Sequence, residues 1–298
     1  MRVPSVRNGG LMLSKCAAIC GVLLVLSAVP ALAQQPVGSD SAVGTAGFVP
    51  RQHRPRIVAP GTRPPVYDPI RHVTVSYNTI WAGYAVTGTD FTYVQGSWIV
   101  AAVDCTKTPK TDSSEWVGID GWSSNTVEQI GTDADCNGDT PYYYVWYEFY
   151  PLNTIPITDV SIAAGDKFSA SVTYEGNNEY LVSITNETTG QGFSKEVEFT
   201  GAYGSGVPMR NSAEWIEEMD GAKLSDFDVD SFGALYTGVN RGTDEATDSS
   251  ISGPITDFGS AVQESISTRN GTDKSKDTAV PSALASDGAS FKVTWKSE

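Results

Sequence analysis

The 298-residue chain carries 35 acidic against 20 basic side chains, a net charge of −15 and a pI near 4.5. This balance argues against a nucleic-acid binder, which needs clustered Lys and Arg to neutralise phosphates. The two histidines, His53 and His72, both precede the stretch that reads as folded. Ser-His triads, Cys-His dyads and histidine zinc sites are therefore not expected in the main domain, and any hydrolysis there falls to carboxylates and amides.

In chain order, residues 1–33 read as a signal peptide. Arg2, Arg7 and Lys15 form a basic start, 21–29 is a short apolar run, and Ala31-Leu32-Ala33 offers small residues for cleavage before Gln34. That run is too short to span a bilayer, and nothing later is apolar enough, so the mature protein is expected to be secreted and free of the membrane. Residues 34–72 hold five Arg and two Asp, net +3, with several Pro and no apolar periodicity. Residues 73–298 hold 12 basic and 33 acidic residues, net −21. The basic arm is either a flexible tail or a prosegment that docks on the acidic domain. Removal of 1–33 leaves two cysteines, Cys105 and Cys136. In an oxidising compartment they are expected to pair; two free thiols or a metal site are the alternatives.

From residue 73 the chain reads as strands: 73–77, 80–87, 91–103, 142–150, 167–175, 178–185 and 192–199, rich in β-branched and aromatic residues. Further candidates are 213–218, 232–239, 251–258 and 290–295, with one weak helical patch at 221–227. Residues 240–285, rich in Ser, Thr, Asp and Gly, read as long loops around the 251–258 strand. Many short strands with Gly and Asn turns predict an all-β, antiparallel β-sandwich filling one domain.

Chemistry in such a chain rests on few residues. Glu148 lies among aromatics in Trp146-Tyr-Glu-Phe-Tyr-Pro151, and 211–218 brings three carboxylates onto one short strand. A period of two puts Glu214, Ile216 and Glu218 on one face of it, and Trp215 and Glu217 on the other. A carboxylate can serve as general base on water. The Gln129 amide, which does not ionise, can donate to a developing oxyanion at any pH.

In order, Trp81-Ala-Gly-Tyr84, Trp116-Val-Gly-Ile-Asp-Gly121, Gln129-Ile-Gly131, Trp146-Tyr-Glu-Phe-Tyr-Pro151 and Ala213-Glu-Trp-Ile-Glu-Glu218 resemble the eqolisins, the glutamic peptidases. The likeness runs from about Asn78 to the strand Phe291-Lys-Val-Thr-Trp295. It implies an acid-active endopeptidase on a sandwich of two bent sheets, a lectin-like jelly roll, with a groove across a concave face. The family's catalytic glutamine falls on Gln129 and its glutamate on Glu218. Its groove residues fall on Trp81, Trp116, Asp120, Asp133 and Glu148, and Glu148 and Asp120 are expected to tune Glu218.

The pattern departs in three places. Thr79 and Ile80 separate Asn78 from Trp81, Tyr144 stands where relatives have an acidic residue, and Glu217 occupies an apolar position. Polypeptide substrates, no cofactor or metal, a monomer and indifference to pepstatin follow as expectations. The rival readings are a retaining glycosidase using Glu148 and Glu218, and a lectin-like module stacking sugars on Trp81, Trp116 and Trp146. The glycosidase needs carboxyls about 5–5.5 Å apart.

Overall fold

The computed structural model describes residues 51–267 and 277–297. The signal-peptide reading and the first part of the basic arm lie outside the described residues. Among the described residues, eighteen strands and one short α-helix make up the fold. In chain order the first are β1 (Val66–Asp68), β2 (Val73–Asn78), β3 (Trp81–Thr87), β4 (Tyr93–Ile99), β5 (Ser114–Ile119) and β6 (Val127–Asn137). Next come β7 (Thr140–Tyr150), β8 (Ile155–Ile157), β9 (Lys167–Gly176), β10 (Glu179–Asn186), β11 (Gln191–Glu198) and β12 (Ser212–Glu218). The last are β13 (Val229–Phe232), α1 (Ala234–Thr237), β14 (Glu245–Thr247), β15 (Ser252–Pro254), β16 (Val262–Ser267), β17 (Asp277–Pro281) and β18 (Phe291–Trp295).

Two layers emerge from the pairing. One runs β1-β2-β16-β3-β12-β5-β6-β7-β8, and the other runs β11-β10-β9-β4-β13-β18-β17. They join where β17 pairs with β16, and every pairing is antiparallel except β16 on β2. The predicted antiparallel sandwich is thus the observed fold, with one parallel seam.

Period-two alternation sorts the side chains of the first sheet. Ala82, Tyr84, Val117, Ile130, Val145, Phe149 and Trp215 face inward, against Trp98, Phe168, Val172 and Phe291 of the second sheet. Each such burial stabilises the fold by about 1.5–3 kcal/mol relative to exposure. The opposite face carries a second, smaller cluster: Ile80, Trp81, Trp116, Val127, Tyr144, Trp146 and Ile216. This outer cluster is the floor of a groove.

Four sequence expectations shift. The 221–227 patch is coil, held by a bridge between Asp112 and Leu224. The 232–239 strand ends at Phe232 and passes through Gly233 into α1. The 251–258 strand stops at Pro254, and a 3-10 turn follows. The 240–285 stretch contributes β16, which sits mid-sheet between β2 and β3 because its polar residues find partners there, as Gln263 does on the Pro281 and Ser282 carbonyls. Polarity in that segment marks hydrogen-bonded strand rather than loop. Cys105 and Cys136 form the expected disulfide and tie the loop after β4 to the end of β6.

Candidate active site

Five adjacent strands build the groove floor. Trp81 opens β3, Ile216 and Glu218 come from β12, Trp116 from β5, Gln129 and Asp133 from β6, and Trp146 and Glu148 from β7. Register brings them together: Glu218 lies opposite Trp81 on one side and Ser114 on the other, and Gln129 lies opposite Glu148. Gly131 makes the close fit possible. A Cβ there would lie 2.4 Å from the Glu115 carbonyl, 2.6 Å from Trp116 Cβ and 3.0 Å from Trp146. Trp81 packs edge-on against Trp116 with centroids 5.1 Å apart, and both are fully buried.

Asn78 stands apart from Trp81 in sequence but reaches it in space. Its Oδ1 accepts from the Ile80 and Trp81 backbone N–H groups at 2.8 and 2.6 Å, and its Nδ2 donates to the Trp81 carbonyl at 2.8 Å. The two inserted residues form a turn that the side chain closes. Tyr144, at the position where an acidic residue was expected, donates its hydroxyl to Asp133.

The groove is filled by the chain's own residues 51–57, which form no regular secondary structure. Arg51 pairs with Asp112 at 3.0 Å and Asp135 at 3.3 Å. Arg54 gives its carbonyl to the Trp81 indole at 3.1 Å, and Arg56 donates its backbone N–H to Gly121 at 3.1 Å. The Arg56 guanidinium meets Glu264 at 3.1 Å and lies 4.0 Å over the Trp122 ring. Ile57 accepts from the Thr79 N–H at 3.0 Å.

His53 sits in the middle of this segment, fully buried. Its ring stacks on Trp146 at 3.5 Å, tilted by only 9°. Nδ1 meets Glu148 at 3.1 Å, and Nε2 meets Asp133 at 3.0 Å and Asp220 at 3.3 Å. Its backbone N–H donates to Glu148 at 2.9 Å, where Thr154 also donates at 2.5 Å. The sequence reading set both histidines apart from the functional domain; the structure corrects this for His53. Its local sequence gave no sign, because the partners of its ring lie 80 or more residues away.

One peptide group touches both expected catalytic side chains. Gln129 Nε2 donates to the His53 carbonyl oxygen at 3.1 Å. The Arg54 N–H donates to Glu218 Oε1 at 3.1 Å, while Glu218 Oε2 accepts the Trp116 indole N–H at 2.9 Å.

Burial and charge set the protonation of these groups. Burial raises the Glu218 carboxyl well above the ordinary glutamate range, and Asp220 adds to the rise, against an opposing pull from His53 and the Arg54 N–H. Burial alone would lower the His53 pKa, but Asp220 and Asp133 outweigh it and hold the ring well above an ordinary imidazole. Burial likewise raises Asp133 and Asp220, with His53 countering.

Of the residues assigned from the sequence, Gln129, Glu218, Trp81, Asp133 and Glu148 all meet residues 51–57, and Trp116 meets them through Glu218. Asp120 does another job. Its carboxylate accepts the backbone N–H groups of Met209, Arg210 and Asn211 at 2.8, 2.8 and 2.9 Å, fixing the loop that leads into β12. The group that raises Glu218 beside Glu148 is Asp220, which the sequence reading did not single out. Its position two residues beyond Glu218 was the available signal.

The sequence profile of the peptidase A4 family matches residues 79–276. Scytalidopepsin B of Scytalidium lignicola is 32% identical over 181 residues, 60% of this chain and 66% of that protein. Aspergillopepsin-2 of Aspergillus niger is 28% identical over 165 residues, 48% of this chain and 56% of that protein. The matched parts thus span less than two thirds of either relative. A crystal structure of scytalido-glutamic peptidase with a transition state analog inhibitor superposes with a TM-score of 0.59 at 22% identity, covering 73% of this chain and 98% of that one, which supports the fold. The ordered tryptophan, glutamine and glutamate motifs and the profile spanning them agree: the chain belongs to the peptidase A4 family, the eqolisins.

Proposed function

We propose that this protein is a secreted acid endopeptidase in which Glu218 and Gln129 carry the chemistry. The observation behind this reading is the single peptide group that hydrogen-bonds to both, carbonyl to Gln129 and N–H to Glu218. In its ionised form Glu218 takes a proton from water as general base and returns it to the leaving amine. Gln129 faces the oxyanion of the tetrahedral intermediate with a donor that pH cannot remove. Both sit on rigid central strands, so the geometry is held before substrate arrives. Residues 51–57 occupy the groove that substrate needs, so the arm acts as a prosegment whose removal activates the enzyme.

Casein digestion at about pH 3–4, near the reference carboxylate pKa values, tests the activity. Glu218→Gln is expected to abolish turnover. Gln129→Ala is expected to cost on the order of 10²–10³ in kcat. The double variant is expected to be little worse than Glu218→Gln, because the two act as a unit. Substantial digestion by Glu218→Gln would overturn the assignment. Pepstatin, which binds sites that present two carboxylates to the tetrahedral centre, is expected to leave digestion unaffected.

A further inference from the structure

Residues 51–57 do more than plug the groove; they place one particular bond at its centre. The His53 carbonyl and the Arg54 N–H, the two ends of one peptide linkage, are the groups that Gln129 and Glu218 hold at 3.1 Å each. No atom of the Gln52–His53 or Arg54–Pro55 linkage has that pair of partners among the described hydrogen bonds.

The residue on the acyl side of this bond lies in a pocket shaped for it. Trp146 supplies a flat apolar wall at 3.5 Å. Carboxyl oxygens meet both ring nitrogens: Glu148 at Nδ1, and Asp133 and Asp220 at Nε2. A ring that donates from both nitrogens is an imidazolium, a flat cation with two diverging N–H groups. A leucine or phenylalanine here would fill the volume yet remove the ring donors that meet Glu148, Asp133 and Asp220, which is costly for buried carboxyl groups. Lysine could offer charge but not the stack.

Resting on the reading of Gln129 and Glu218 as the catalytic pair, we propose that His53–Arg54 is the bond this enzyme first cuts in its own chain. The pocket around His53 is its acyl-side specificity site, selecting peptides with a histidine immediately before the cleaved bond. The chemistry is hydrolysis and consumes one water. Its oxygen bonds to the His53 carbonyl carbon as its proton passes to Glu218. The carbonyl electrons move to the oxygen facing Gln129, and their return breaks the carbon–nitrogen bond. Glu218 then protonates the Arg54 nitrogen, leaving a carboxyl group on His53 and a free amine on Arg54. Arg54 remains joined to β1 through residues 55–65, and the piece ending at His53 is free to leave.

Two measurements test this. The full chain, purified at neutral pH and shifted to pH 4, is followed by intact mass and N-terminal sequencing. The expected first product begins at Arg54, forms at a rate independent of protein concentration, and is absent from Glu218→Gln. A first product cut elsewhere, with the His53–Arg54 bond intact, would overturn the processing site. In the second measurement the processed enzyme is given paired peptides with His or Leu before the cleaved bond. A preference for His of at least tenfold in kcat/KM is expected, and Asp220→Asn is expected to shrink the His-to-Leu ratio, whatever it does to both rates through Glu218. Equal rates for the two peptides would refute the specificity. Casein serves to separate the failures: digestion dependent on Glu218 without an Arg54 terminus or a His preference sinks this inference alone, and absence of digestion sinks the catalytic pair with it.

Discussion

Adjacent glutamates on β12 meet different chemistry because a strand turns successive side chains to opposite faces. Glu218 points into the groove, where a peptide N–H and an indole N–H hold its carboxylate. Glu217 points into the core with Glu115 and Asp230, their carboxyl oxygens within 4.8 Å of one another. Burial raises Glu217 and Asp230 well above their ordinary values and Glu115 to about 7, with mutual repulsion adding to each of the first two. A group whose folded pKa lies above its unfolded one contributes stability below the unfolded pKa and loses it as pH rises through the folded one. Glu217→Gln makes one member of the trio permanently neutral. We expect its melting temperature to match the wild type at pH 4 and exceed it at pH 8, with activity kept. An equal loss of stability at both pH values would show that the carboxyl is needed for its hydrogen bonds instead.

At the scale of elements, the groove depends on how closely β5, β6 and β7 approach. Trp116 and Trp146 come from the outer two, and Gly131 on β6 lies between them, directly opposite both. Any side chain at 131 must push the tryptophans or the strand backbone aside. Overpacking of this kind typically costs about 1–3 kcal/mol. Gly131→Ala is therefore expected to lower the melting temperature and to cut activity further than stability alone explains, since Gln129 sits two residues along the same strand. A variant with wild-type melting and full casein activity would show that the strands yield at no cost. With residues 51–57 seated over them, Trp81, Trp116 and Trp146 are fully buried.

The whole molecule is built for acid. Burial is the first cause of the raised pKa in Glu128, Glu214, Glu218, Asp230 and Asp244, all well above their ordinary values. Glu264 rises to about 7 and Asp135 to about 9 for the same first reason. Burial comes first, and repulsion among neighbouring carboxylates adds to it. For all of these groups the sign is the same. Stability is complete below the unfolded carboxylate range near 4 and falls as pH climbs through about 7 and then 9. His53, also raised, works in the same direction, holding its contribution until pH passes its folded value. Asp68, Asp104 and Asp287 run the other way, each at least partly open to solvent. Melting is expected at a clearly higher temperature near pH 4 than near pH 8. A flat profile across that interval would refute the account.

The sequence by itself determined the sandwich, because period-two alternation states which face of each strand is apolar. It also determined the family and the candidate pair, because Gln129 and Glu218 sit inside motifs whose residues are neighbours along the chain. Strands without clean alternation were harder to read. β6 is buried on both faces along most of its length, and β16 is buried but mostly polar, so neither shows the expected contrast. Only the tertiary structure decided that His53 occupies the site, that Asp120 braces a loop and that Glu217 joins a core cluster. Each of these depends on groups brought together from distant parts of the chain. Register and layer packing make such contacts, and no local pattern of residues encodes which carboxyl will find which partner.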